Sequence, residues 1–343
     1  MTDLLDATTH ANSTRARTPE LPQARGPLSG WLLQRLTEAG HRSPAPTTAG
    51  RPGLGEDVQL SLYLCYELHY GPLSGVPADL EWEPEILEFR RALESRFEAA
   101  LRSRVAPTRI DRPIELLIPA LIAADDGPSL STYMETVGTI DQMREVAIHR
   151  SAYQLKEADP HTFAIPRLHG RAKQLLAEIQ AGEYGADEPD RLMHSQLFAQ
   201  TMRGLGLDDR PNGYLDRIPA SGLAISNLIS LFGLHRRWRG ALVGHLAVFE
   251  LTSVTPMGRY SRGLERMGAD RQTRRFYDVH VLADAVHEVL ALDMAAALVA
   301  EEPELLADVV FGAQCVLATE RVFAEELLRR FDSAQRDRVS SAA

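Results

Sequence analysis

The stretch FYDVHVLADAVHEVL places His280, Asp284 and His287 at a His-x3-Asp-x2-His spacing. An α-helix turns about 100° per residue, so these side chains fall within roughly 60° of one another. They form one column of two imidazoles and a carboxylate. Val279, Val281, Leu282, Ala283, Ala285, Val286, Val289 and Leu290 surround them, so the helix reads as buried on most sides. Ionisable groups in such a helix must be paired or bound to a metal. Two imidazoles and a carboxylate suit non-haem iron, manganese or zinc.

A binuclear site needs more donors, and helix bundles draw them from facing helices. Glu250 is the best candidate, alone among Leu246, Ala247, Val248, Phe249 and Leu251. The second region is EIQAGEYGADEPDRLMHSQLF, where Glu183 sits at a helix end before Gly185 and His194 opens the next helix. Glu178, Asp187 and Glu188 compete with Glu183 for that role. The plainer alternatives are a buried ion pair with an arginine for Glu250, a helix-end cap for His194 and a solvated loop acid for Glu183. Burial alone does not separate a buried pair from a metal ligand, because both obey the same desolvation rule.

The elements that position these residues read as helices almost throughout. Residues 1–26 lack apolar periodicity and read as a disordered tail. A short helix and a Pro/Gly linker fill 27–56. Helical segments follow from 57 to 332, and a polar tail closes the chain at 333–343. LSTYMETVGTIDQMREVAIHRSAYQLKEAD reads as one long helix or two joined end to end, stopping before Pro160. PRLHGRAKQLLAEIQAG reads as a helix closed by Gly182, and PDRLMHSQLFAQTMRGLGL as one with an acidic cap. The apolar run from 221 to 254 is broken near Gly233. No segment alternates as a strand would, and no repeat is visible. The fold class is therefore all-α, a single bundle.

Bulk properties narrow the function. The chain has 343 residues, a net charge of −10 and 44% apolar residues. That composition allows a sizeable core and argues against a general nucleic-acid binder. No uninterrupted apolar run reaches the ~20 residues that span a bilayer. Two cysteines, Cys65 and Cys315, make neither a disulfide framework nor a zinc knuckle. These features point to a soluble cytoplasmic protein.

The order Glu183, His194, Glu250, His280-x3-Asp284-x2-His287 resembles the haem-oxygenase-like diiron oxidases, also called iron-containing redox enzymes. The flanking text YLCYELHYGPLSGV, YQLKEADPHTFAIPRL, GHLAVFELTSVTPMGRYSRGLERMG and HVLADAVHEVLA is similar too, over residues 57 to 295. The resemblance implies a haem-oxygenase-like helical bundle, here with additional N- and C-terminal helices. It implies two non-haem iron ions held by Glu183, His194, Glu250, His280, Asp284 and His287, with O2 as co-substrate. It also implies a further carboxylate on an earlier helix, matched to Glu157, which reaches the metals only after O2 or substrate binds; pairing with Lys156 is its alternative. Tyr277 and Asp278 flank His280 and would support the ligands. A core hydrogen-bond network for the His280 column becomes the lesser reading.

Other tempting residues read as structural. Glu67 and His69, at i and i+2, point about 200° apart on a helix and share no site. His245 lies about 140° round the helix from Glu250. The run His235–Arg239 and the stripe Arg259, Arg262, Arg266 read as solvated faces. We therefore expect an O2-using iron oxidoreductase acting on a small organic molecule. The expectation admits a homodimer and an external electron donor, with no nucleic-acid or membrane partner. The rivals are a haem oxygenase or cofactor-independent relative on the same fold, and a non-catalytic metal- or partner-binding helical protein.

Overall fold

The computed structural model describes residues 20–342, apart from 39, 41, 42, 72 and 187 and the side chains of 335 and 337–342. The helices run α1 Pro27–Thr37, α2 Glu56–Glu67, α3 Pro84–Arg102, α4 Ile114–Ala123, α5 Leu130–Thr136, α6 Ile140–Gln154, α7 Asp159–Thr162 and α8 Gly170–Glu183. They continue with α9 His194–Gly204, α10 Ala220–Leu234, α11 Arg239–Leu251, α12 Val254–Arg266, α13 Arg271–Glu301 and α14 Leu306–Ala342. Among the described residues there is no strand, and the architecture is an all-α bundle.

Local chemistry sets the helix starts. Pro27 and Pro84 occupy the first turns of α1 and α3, where the missing N–H costs nothing. Thr139 and Gln142 form a reciprocal capping box on α6. The Asp270 carboxylate accepts from the Thr273 N–H at 2.8 Å and starts α13.

α13 is the organising element, packed against α8, α9, α11 and α12. Three close approaches hold it and α11 in place. A Cβ at Gly204 of α9 would overlap Thr273 of α13, and Thr201 Oγ1 donates to the Thr273 carbonyl at 2.8 Å. A Cβ at Gly244 of α11 would overlap the Val309 carbonyl oxygen of α14. A Cβ at Gly312 would likewise overlap the Ala241 carbonyl oxygen. The two backbones touch where glycine removes the side chain, and this crossing fixes the height of Glu250.

Several sequence expectations change. Of the two readings of residues 130–159, the one with two helices holds: α5 and α6 are separated at Gly138, where any Cβ would collide with Met134. α6 stops at Gln154, so Glu157 lies in a turn rather than on a helix. α8 runs through Gly182 and is closed by Gly185, at φ +83°. α9 is capped by Met193, not by an acid, with the Gln196 side chain accepting from the Met193 N–H. Residues 1–19 of the expected tail lie outside the described residues, but 20–26 are bound to the body: Gln23 N–H donates to Asp216 and Arg25 pairs with Glu56. At the other end, α14 continues through the expected polar tail to Ala342. The outer face of α13 is open, with Leu282 76%, Val286 59% and Val289 57% exposed, because no element among the described residues covers it.

The glycine crossing yields a test. Gly312→Val should cost about 1–3 kcal/mol, the usual penalty of overpacking, read as a lower urea midpoint. Gly71→Ala, with open space around its Cβ position, should leave the midpoint nearly unchanged.

Candidate metal centre

Five elements deliver the candidate ligands to one interior volume. His280, Asp284 and His287 project from one face of α13, and all three are buried. His280 Nδ1 lies 2.7 Å from the Phe276 carbonyl. A carbonyl only accepts, so Nδ1 carries a proton and Nε2 is the nitrogen free to ligate. Glu183 is the last residue of α8 and His194 the first of α9. The loop between them is pinned to α13 by Arg275, which reaches Asp190 at 2.6 Å and Glu188 at 3.0 Å. Glu250 comes from the last turn of α11. Glu157 comes from the turn between α6 and α7.

The donor atoms fall into two sets. Those of Glu157, Glu183, His194 and His280 all lie within 4.8 Å of one another. Those of Glu183, Asp284 and His287 do the same, and Glu250 Oε2 joins them 3.6 Å from His287 Nδ1. Glu183 belongs to both: one oxygen is 2.8 Å from His194 Nδ1 and the other 3.4 Å from His287 Nδ1. Asp278, by contrast, accepts from Ser261 Oγ on α12 and does not line the site. Tyr277 lines it, its ring 5.5 Å from that of Tyr260.

The donor set fits a cation. Buried polar atoms almost always have a hydrogen-bond partner. Here Glu157 Oε2, His194 Nδ1, Asp284 Oδ2 and His287 Nδ1 are buried without one. His194 Nδ1 is close to Glu183, yet the angle is not that of a hydrogen bond. Oxygen and imidazole donors 3–4 Å apart match metal bonds of roughly 2.0–2.2 Å.

The same crowding shifts protonation. Burial pushes the His280 imidazole down, but the Glu157 carboxylate outweighs it and raises the group to about 10. Burial also opposes charge on His287, yet Asp284, Glu183 and Glu250 raise it to about 12. Burial lifts Glu250 to about 7 despite His287. Burial would lift Glu183 too, but His194, His287 and His280 hold it well below the usual carboxylate range. Glu157 is raised by burial, with His280 opposing.

The Glu157 carboxylate stands in the first set, within 4.8 Å of donor atoms of Glu183, His194 and His280. Lys156 does not pair with it. The Lys156 ammonium points the other way, to Glu67, between the rings of Tyr63 at 4.4 Å and Tyr70 at 4.7 Å. Asn212 Nδ2 donates to the other Glu67 oxygen at 2.8 Å. His69 lies between Glu81 at 2.9 Å and Arg90. Glu67 and His69 are thus structural, as expected. Arg259 and Arg262 pair with Glu135, and Arg266 caps the carbonyls that end α5.

A cavity of about 270 Å³ opens beside the two sets, lined by Leu246, Phe249, Met257, Tyr260 and Tyr277 among others. Three of its residues escaped the sequence reading. Arg150 and Glu320 form a two-pronged pair at 2.7 and 2.6 Å on its wall. They are 170 residues apart, so no local pattern links them. His161 lines it from α7.

With this geometry in hand, the comparisons place the chain. It belongs to the family of iron-containing redox enzymes, whose family model matches residues 144–321. It is an oxidoreductase in that general sense. Two crystal structures of a CADD-like protein of unknown function from Nostoc punctiforme share its fold. Their TM-scores are 0.52 and 0.51, at 17% and 16% identity, covering 63% and 64% of this chain and 96% and 95% of theirs. A comparison with curated proteins finds no match. Among the described residues no helix is long and apolar enough to cross a membrane.

The protonated state sets the pH dependence of metal binding. His280 and His287 have raised pKa values without metal, and a ligating nitrogen must be free of its proton. Metal binding below those values therefore releases protons. Affinity should rise as pH increases from 6 to 8, and a weakly buffered titration with Zn(II) should acidify. Affinity that is flat over this range would contradict the assignment of these imidazoles as ligands.

Proposed function

We propose that the protein is a non-haem oxidoreductase that uses O2 at a two-iron centre to oxidise a small organic molecule. The observation that carries this reading is Glu183, which stands in both donor sets and has one oxygen directed to each. Glu157, His194 and His280 would hold one ion, and Asp284, His287 and Glu250 the other. Bound ferrous iron would supply the electrons and open coordination positions that O2 chemistry requires.

The remaining work falls to the chain. The Phe276 carbonyl keeps the proton of His280 on Nδ1, so Nε2 faces the site. Leu246, Phe249, Met257 and Tyr277 give the neighbouring cavity apolar walls that exclude water and strengthen every electrostatic contact inside. The cavity volume of about 270 Å³ lies near the lower end of small-molecule sites, which favours a compact substrate. The reading calls for a source of reducing equivalents outside the chain.

The test is metal stoichiometry together with O2 uptake. Anaerobic loading with Fe(II) should give about two irons per chain, as a two-metal site requires, and O2 consumption on aeration. His280→Ala and His287→Ala should each lose one set. Glu183→Ala should weaken both, and His69→Ala should leave iron content unchanged. Iron uptake with no O2 consumption under any substrate tried would instead favour a storage role. Equal loss in the His69 variant would discard the ligand set.

A further inference from the structure

One wall of the cavity is not used by the proposed metal centre. His161 lines it, beside Ala158 and Gln180. His161 Nε2 lies 3.2 Å from Nδ1 of His245 on α11. His245 is fully enclosed, its ring stacked on Phe249 at 4.6 Å and edge-on to Phe232 at 6.4 Å. Its Nε2 has no hydrogen-bond partner. Burial favours the neutral form of both rings, lowering His161 to about 4 and His245 well below the ordinary range.

Two neutral imidazoles can share this contact in two ways. If His161 Nε2–H donates, His245 must carry its proton on Nε2, as a buried N–H with no acceptor. If His245 Nδ1–H donates, His245 Nε2 is a bare lone pair and the His161 proton moves to Nδ1. Orphaned buried donors are rarer than under-used acceptors, and leaving one unmade is costly. The second arrangement is therefore the stable one. It places the His161 proton on Nδ1, on a ring that forms part of the cavity wall.

The ring is held in place for such a task. Gln180 Nε2 donates to the Ala158 carbonyl and to Thr162 Oγ1, both at 2.7 Å. Tyr184 OH donates to Asp159 Oδ1 at 2.9 Å. Gly233 of α10 lets the Pro160 carbonyl approach closely from behind, since any Cβ there would overlap it. Both sides of α7 are thus anchored around His161.

We propose that His161 recognises the substrate: its Nδ1–H, oriented by His245, donates a hydrogen bond to an oxygen acceptor on the bound molecule. The substrate class is then a compact molecule bearing a carbonyl or carboxylate oxygen, in preference to one that only donates. This rests on the cavity being the substrate site, as in the reading above. His245 is a positioning residue that acts through His161.

The experiment uses the metal-free protein labelled with ¹⁵N-histidine. Long-range ¹H–¹⁵N correlation at pH 7 should show His161 and His245 both protonated on Nδ1. His245→Phe keeps the ring stacking but removes the donor, and should release His161 to the Nε2–H form or a mixture. Acetophenone, an acceptor with no donor, should shift the His161 Nδ1 proton on titration. His161→Leu should weaken its binding about threefold to tenfold, the worth of one neutral hydrogen bond. His161→Asn, whose amide nitrogen can take the place of Nδ1, should restore most of it. A wild-type His161 protonated on Nε2, or signals unmoved by acetophenone, would overturn the proposal. Because no iron is present, either failure leaves the two-iron reading standing, and loss of iron stoichiometry would leave the tautomer result untouched.

Discussion

Four carboxylates and three imidazoles share one buried volume between helices, and the rest of the architecture is arranged around that electrostatic problem. Glu157, Glu183, Glu250 and Asp284 are each buried. Uncompensated carboxylates in such a place would repel one another and forfeit hydration. Without a metal the chain offsets them with protons, held on His280 and His287 by the same carboxylates that raise their pKa values. Protons and metal ions therefore compete for one site. The fold must tolerate both occupants without collapsing the donors onto each other.

That tolerance comes from stiffness behind the donors. α11 and α14 meet backbone to backbone at Gly244 and Gly312, so Glu250 cannot slide along its helix axis. The loop from Glu183 to His194 is clamped to α13 by Arg275, which couples both residues to the helix that bears His280. The turn that carries Glu157 is tied from the far side, where Lys156 sits in a cage of Glu67, Tyr63 and Tyr70. Adjacent residues thus point opposite ways: one to the metal volume, the other to an anchor. A donor constellation built this way is preorganised by contacts the ion never touches.

What the sequence revealed follows the range of its patterns. His280, Asp284 and His287 were legible because helical periodicity alone puts them on one face. Glu250 was legible because a lone acid in an apolar helix demands a partner. Glu183 and His194 came into view through the resemblance as much as through local signals, since a loop whose course no periodicity dictates separates them. Glu157 was placed on the wrong element, because the α6 helix ends before the proline rule would stop it. The His161–His245 contact joins residues 84 positions apart, and no local rule pairs them. The outer face of α13 was read as core from residue type, yet exposure depends on whether a neighbouring element packs there, and none among the described residues covers Leu282, Val286 and Val289. Helix class and the α13 column were thus local information. The break at Gly138 and the shared position of Glu183 were tertiary.

The balance of charge bears on the number of ions the site suits. The two sets together hold four carboxylates, with Glu183 common to both. A single divalent cation would leave about two of the carboxylate charges for protons to offset, in a medium of low effective dielectric. Two divalent cations match four carboxylates, and the neutral imidazoles complete the coordination without adding charge. The sets are not equivalent: Glu157, Glu183, His194 and His280 balance oxygen and nitrogen donors, whereas Glu183, Asp284, Glu250 and His287 are richer in carboxylate.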